Sequence, residues 1–307
     1  MVDTGKSTAF SFRFGIKGDV DTHQFNAGRS WRVASRSRAP HRCANAPKTQ
    51  KSWRTRRDFP ITRLDARAAI PLQFAQLLAS REQQLGTELA KQFTRHGIAV
   101  KAGTRVDKIE KVGEGVKVTV SGPGGTEVLE AEQALVAIGF RPNSENLGLE
   151  ALGVKVEKGF IQVDDKMSTN VAGIWAIGDV TGKTGWAHTA SAQGIVAAEA
   201  IAGHHAPALQ YEFMPSAVYS HPQVASFGLT EAKAKERGYE VKVVKFPFQA
   251  NGKALGLNDY VGFVKIVTDA KYGEVLGAHM IGPEVTELLG ELTLAHGAEL
   301  TIEEIAR

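Results

Sequence analysis

The sequence predicts a mixed fold, α/β followed by α+β, on three observations. From Gln83 to about residue 210, short apolar runs such as "ALVAIGF" and "GIWAIGD" end in glycine between turn residues, as buried strands do. Between them lie two helical segments, "QQLGTELAKQFTRHG", which has helical spacing, and an alanine-rich run over about 188–202. From Tyr211 onward, strands recur around hairpin turns and are followed by a helix, which predicts an antiparallel sheet covered on one face.

The elements follow in order. Residues 1–80 show neither period. They carry 15 Lys+Arg against 5 Asp+Glu, a net of +10, whereas residues 81–307 carry a net of −6. Eleven of the 17 arginines lie in this first stretch. No β-α-β unit can be placed before residue 80, and the segment is expected to be disordered, aberrant or out of frame. A targeting peptide and a nucleic-acid arm are the rival readings. The first ten residues lack arginine, and base-stacking aromatics are sparse, so both are disfavoured. Leu85, Leu89 and Phe93 then form a helical stripe, with Gly97 as its stop. "RVDKIEKV" and "VKVTV" read as strands, a "SGPGG" turn follows, and "TEVLEAEQALVAIGF" ends in a buried apolar run. "GFIQVDD" and "GIWAIGD" read as further strands. In the second region, strands are expected at 216–220, 240–247, 261–269 and 274–281, with a helix near 230–238. Val285, Leu288, Leu289 and Leu292 mark another helix. Thr301 and Glu304 stand in capping-box spacing, so a last helix starts there and the sequence stops about one turn into it.

Composition excludes some classes. There is no run of 18 apolar residues, so no bilayer span is expected. One cysteine, Cys43, leaves no internal disulfide framework and fits a reducing compartment. No metal-ligand cluster stands out.

The stretch "TNVAGIWAIGDVTGKT" tests for a phosphate loop. That loop needs four residues between its glycine and Gly-Lys-Ser/Thr, so that backbone N–H groups can surround a phosphate. Here Gly178 and Gly182 are separated by three, and "DTGKS" near the start has no glycine in the required place. A phosphate loop is not expected.

The same stretch resembles the second FAD-binding motif of the flavoproteins with two dinucleotide domains. The resemblance implies that Gly178 lets the backbone approach the cofactor and that Asp179 accepts a hydrogen bond from a ribityl hydroxyl. The chemistry is consistent: ligands of α/β sheets bind at strand carboxyl ends, and a carboxylate suits a polyol. The plain alternative is an aspartate that caps the next turn. "WAHTASAQG" opens the alanine-rich helix. In the family this helix points its N-terminus at the flavin's pyrimidine edge, which places Trp186, Ala187 and His188 there. A helix N-terminus favours the anion of reduced flavin. His188 reads as a structural histidine rather than a base. "ALVAIGFRPNSENLGLEALGV" resembles the segment returning from the NAD domain to the FAD domain, which places Gly139 against the nicotinamide cofactor. Val106 matches a position near the NAD, although ordinary core packing explains it as well.

"YSHPQVASFGLTE", "FPFQANGKALGL" and "GFVKIVTDAKYGEVLGAHMIGPEVTELLGE" resemble the dimerisation domain of the dihydrolipoyl dehydrogenases, a family of class I pyridine nucleotide-disulfide oxidoreductases. Glutathione and mercuric reductases share the fold, but "FPFQANGKA" and "GAHMIGPEVTELLGE" favour the lipoamide enzyme. The resemblance begins near Gln83. It implies partial Rossmann-like domains, NAD-binding over 81–140 and FAD-binding over 141–210, then a dimerisation domain over 211–307. FAD and NAD are the implied cofactors. A homodimer and, in the parent family, a 2-oxoacid dehydrogenase complex are the implied partners. The cytoplasm is the implied location, with the mitochondrial matrix as alternative. Three parts of the family pattern are missing: a G-x-G-x-x-G turn, a Cys-x4-Cys redox pair and a His-x-His-Pro-x-x-x-Glu segment. No catalytic residue is therefore assigned. The expectation is an inactive fragment, with a non-catalytic dimerisation module as the alternative.

Overall fold

The computed structural model describes residues 69–72, 77–78 and 81–307. Cys43 and the expectation of disorder over most of 1–80 lie outside the described residues.

Strand β1 (Ala69–Leu72), helix α1 (Gln83–Arg95) and strand β2 (Ala99–Ala102) form a β-α-β unit, its strands parallel from Ala69↔Ala99 to Leu72↔Ala102. This corrects the expectation that no such unit starts before residue 80. "AIPL" is too short to show a period, and only its pairing with β2 reveals it. Helix α1 forms as read: Leu85 and Leu89 are buried and Phe93 packs beside them. Gly97, at φ +80°, turns the chain out of the helix.

Strands β3 (Arg105–Val112), β4 (Gly115–Gly122) and β5 (Gly125–Ala131) form an antiparallel meander. A bulge between Val106 and Lys108 swings out Asp107. Its carboxyl is held below the usual carboxylate range by hydrogen bonds from Ser121 first and then Arg105. The apolar run after β5 is a second correction. Residues 132–141 join no sheet, and Leu135 and Ile138 are 82 % and 93 % exposed. A continuous apolar run signals a buried strand only if neighbouring strands are there to bury it.

Strands β6 (Val156–Glu157) and β7 (Phe160–Ile161) make a minimal hairpin. The run 173–179 is not a strand either. It is one arm of a tight turn in which the Thr169 N–H and Oγ1 both donate to the Ile174 carbonyl, at 3.0 and 2.9 Å. Ser168 bridges Trp175, and the Ala176 N–H donates to the Met167 carbonyl. A 3₁₀ turn (Gly178–Thr181) leads to helix α2 (Ala187–Ile201).

The remainder is a five-stranded antiparallel sheet. Its strands are β8 (Ser216–Val218), β9 (Gln223–Gly228), β10 (Val241–Pro247), β11 (Phe263–Asp269) and β12 (Val275–Gly282), in the order β10-β11-β12-β9-β8. Strand β9, which the sequence reading passed over, lies inside the sheet between β12 and β8. It is buried along most of its length, so it shows no in–out alternation. Helix α3 (Glu231–Glu236) follows β9, and α4 (Gly252–Gly256) follows β10. One face of the sheet packs Ala225, Phe227, Ala278 and Met280 under α5 (Leu289–Gly297), with Ile305 of α6 (Ile302–Ile305) at its margin. The capping box is present: the Thr301 N–H donates to Glu304 Oε2 at 2.7 Å.

The other face is covered by α1, whose Leu85 and Leu89 meet Val224, Phe263 and Ile281. Between these apolar contacts runs a polar row, Lys265↔His279↔Ser226↔Ser216, in register across four strands. Lys265 is 1 % exposed and pairs with Glu82 at 3.2 Å and Glu231 at 2.8 Å. Arg81 donates to Ser226 and Ser216. His279 donates from Nε2 to the Leu229 carbonyl at 2.9 Å, and burial holds its pKa down. No helix among the described residues is long and apolar enough to cross a membrane.

Candidate functional site

The site is built where the 3₁₀ turn meets α2. Gly178 takes φ +78°, and a Cβ there would lie 3.5 Å from that of Ala190, so turn and helix are in contact. The Gly178 N–H donates to Gln193 Oε1 at 2.6 Å. Gln193 is fully buried, and its Nε2 donates to the Tyr211 hydroxyl at 3.0 Å. The turn is closed by the Thr181 hydroxyl on the Gly178 carbonyl at 2.8 Å. Asp179, next in the turn, is exposed; its carbonyl accepts from the Gly182 N–H at 3.1 Å, and its carboxylate takes no hydrogen bond or ion pair from any described residue.

The N-terminus of α2 has no side-chain cap, because Trp186 stands at the capping position and offers no acceptor. The Ala187, His188 and Thr189 N–H groups thus have no partner within the helix, and the first intrahelical bond is from Ala190 to the Trp186 carbonyl at 3.0 Å. The Thr184 and Thr189 hydroxyls are buried and have no partner among the described residues. Trp186 stacks on His188 with centroids 5.7 Å apart, and the Arg81 guanidinium lies 5.3 Å from the Trp186 ring. His188 donates from Nε2 to the Pro215 carbonyl at 2.8 Å. Ala187 is the first residue of α2.

Gly178, Asp179, Trp186, Ala187 and His188 therefore share one corner. Gly139 is tied to it through its neighbour: the Phe140 ring packs where a Cβ on Gly185 would stand, 2.9 Å away. Gly139 itself sits at φ +125° in open space, a conformation that suits glycine. Val106 is not in this corner. It lies on β3 opposite Val120 and is 39 % exposed. Sequence reasoning missed Gln193 and Tyr211. The signal was there: Thr189, Gln193, Val196 and Ala197 fall at i, i+4, i+7 and i+8, so the buried face of α2 carries an amide among small apolar residues. No group of three potential metal ligands occurs among the described residues.

The arrangement offers a carboxylate free among the described residues on a glycine turn and an uncapped helix N-terminus, both at one surface. Such a surface suits a polar ligand bearing hydroxyls and an electron-rich edge. Comparison with known proteins defines the class. Residues 62–194 match the pyridine nucleotide-disulphide oxidoreductase model, and residues 214–307 match the dimerisation domain of the same family. The chain belongs to this family of flavin-dependent oxidoreductases. The match starts at residue 62, earlier than the onset near Gln83 read from the sequence. Within the family, the similar proteins are dihydrolipoyl dehydrogenases. That of Mycobacterium leprae is 51 % identical over 232 residues, 75 % of this chain and 50 % of that protein. That of Corynebacterium glutamicum is 47 % identical over 237 residues. Among solved structures, LpdA from Mycobacterium tuberculosis has a TM-score of 0.72 at 26 % identity, covering 78 % of this chain and 51 % of that one. The HOCl-induced flavoprotein disulfide reductase RclA from Escherichia coli has a TM-score of 0.69 at 24 % identity, a likeness of fold. The chain spans about half the length of the curated relatives it matches.

Proposed function

We propose that this chain carries the ribityl-facing part of a flavin site on a dimerising scaffold of the dihydrolipoyl dehydrogenase type. The observation that supports this most directly is the Asp179 carboxylate, free among the described residues and held on a glycine turn against α2. In this reading Asp179 accepts from a ribityl hydroxyl. The N–H groups at Ala187 and His188 face the flavin's pyrimidine edge, with Trp186 closing that side. Residues 81–140 belong to the NAD-binding part, with Gly139 and Val106 on its nicotinamide side. Residues 141–210 belong to the FAD-binding part, and 211–307 pair two copies as a homodimer. FAD, when bound, supplies the electron carrier between a dithiol and NAD. In the cytoplasm the parent enzyme serves a 2-oxoacid dehydrogenase complex.

The fit to FAD is partial. The sequence holds no G-x-G-x-x-G turn for a pyrophosphate and one cysteine where a redox pair is needed. Two results follow. Riboflavin and FAD, titrated by quenching of flavin fluorescence, are expected to bind with affinities within about threefold of each other, and Asp179→Ala to weaken both about tenfold, the loss of one hydrogen bond to a charged group. Lipoamide reduction by NADH is expected to stay at background. Tight FAD binding indifferent to Asp179→Ala, or measurable turnover, overturns the reading.

A further inference from the structure

We propose that Gln193 is the positioning residue of the Asp179 turn, and that Tyr211 makes it a joint between that turn and the dimerisation domain. In naming Asp179 as the group that is positioned, the inference rests on the flavin reading above. Its geometry stands without it.

Gln193 is the one buried amide on a helix face otherwise made of Thr189, Val196 and Ala197. An amide in that position must satisfy both ends or destabilise the fold. Its carbonyl end takes the Gly178 N–H at 2.6 Å, and its amino end reaches the Tyr211 hydroxyl at 3.0 Å. The packing between the turn and the helix is sparse at the Gly178 end. Gly178 meets Ala190 and Gly194 meets Ile177, each at 3.5 Å from a Cβ that is not there. Phe160 packs on Gly182 and Val180 joins the Leu149, Val154 and Ile161 cluster, so the far end of the turn is held by packing, whereas at Gly178 the directional hydrogen bond to Gln193 sets the register against the helix. Asp179 is the next residue, so whatever holds the Gly178 N–H aims that carboxylate.

Tyr211 extends the link. It lies in the 3₁₀ turn Tyr211–Phe213, just ahead of the dimerisation domain at residue 214, and its hydroxyl also approaches the Met167 sulfur at 3.9 Å. The His188–Pro215 bond is a second tie between α2 and the same segment. Helix α2 is thus fastened to the edge of the dimerisation domain at two points, one of which continues to Gly178.

The test uses the full chain with glycine 15N-labelled, reading hydrogen exchange of the Gly178 amide by NMR. Gln193→Met removes the acceptor at nearly constant volume and should speed exchange at Gly178 on the order of tenfold. Gln193→Glu keeps an acceptor for Gly178, and its Tyr211 bond can form in either protonation state, so protection should return. A role in packing alone predicts the opposite order, methionine tolerated and glutamate not. Tyr211→Phe should raise exchange at Gly178 by a smaller factor, and it serves as the milder probe if Gln193→Met does not fold. Asp179→Asn should leave Gly178 exchange unchanged while weakening riboflavin. If Asp179→Asn has no effect on riboflavin, the flavin reading fails and the exchange data still judge Gln193. Unchanged Gly178 protection in Gln193→Met or, where that variant does not fold, in Tyr211→Phe overturns the proposal.

Discussion

The two halves of the described chain are unequally finished. In 211–307, β12 is buried along all eight residues, and its sheet has covered apolar faces on both sides. In 132–210, two four-residue core clusters carry the packing, and Leu135, Ile138, Phe140, Leu147, Leu152, Ile195 and Ile201 are exposed. The local sequences are equally apolar. The difference is supply of neighbours: a hairpin sheet brings its partners from adjacent sequence, whereas an isolated apolar run has none within reach among the described residues. Stability should therefore reside in 211–307 together with α1, and solubility should be decided by 132–210.

Three perturbations sharpen that contrast. The largest effect is expected at Lys265. Lys265→Met leaves Glu82 buried without its cation and removes one of the two cations on Glu231, which keeps Lys235 at 2.7 Å. Breaking a buried pair from one side costs about 3–5 kcal/mol, read as a fall in the urea midpoint. A loss below 1 kcal/mol would mean the α1 seam does not hold the sheet.

The second effect is on acid stability. Burial keeps the folded-state pKa of His279 below the ordinary 6.5, so the unfolded chain binds the extra proton and stability falls as pH drops below about 6.5. The groups facing His279 are Glu82, which favours its charged form, and Lys265 and Arg81, which oppose it. Glu231 acts lower down. Hydrogen bonds from Lys235 and then Lys265 depress its pKa from 4.5 to about 2, so its contribution is full above 4.5 and fades from there towards 2. Urea midpoints from pH 7 to 4 should show an upper slope that His279→Gln removes and Glu231→Gln leaves in place. A slope unchanged in His279→Gln assigns the titration elsewhere.

The smallest effect on stability is expected at Ile138. Ile138→Lys should move the urea midpoint by less than about 0.5 kcal/mol, as exposed positions do, while reducing self-association in sedimentation. Unfolding by this substitution would show that the exposed run is held after all.

Much of the fold was legible. The stripe of α1, the alanine-rich run of α2 and the hairpin around "DAKYGE" are local signals, and each element formed where its residues placed it. Strand β9 was not, because residues buried on both faces carry no alternation. The runs at 133–140 and 173–179 were read as strands on composition alone, and composition does not report whether a pairing partner exists. At the candidate site, Gly178, Asp179 and the start of α2 were readable as a motif. Gln193 was hidden because its meaning lies in two hydrogen bonds to residues 15 and 18 positions away.

The seam between α1 and the sheet has a consequence for how the chain is made. Glu82 and Lys265 are 183 residues apart in sequence. At a synthesis rate of roughly 5–20 residues per second, about 10–40 s pass between the emergence of α1 and that of the strand it sits on. Helix α1 itself can form in under a microsecond or so. Its apolar stripe is then complete long before its seat exists, and non-local closure of this kind is slow even once all the chain is available. During synthesis that stripe is open to any chaperone or to a neighbouring nascent chain, and the docking of α1 closes the folding of the sheet from the side that was translated first.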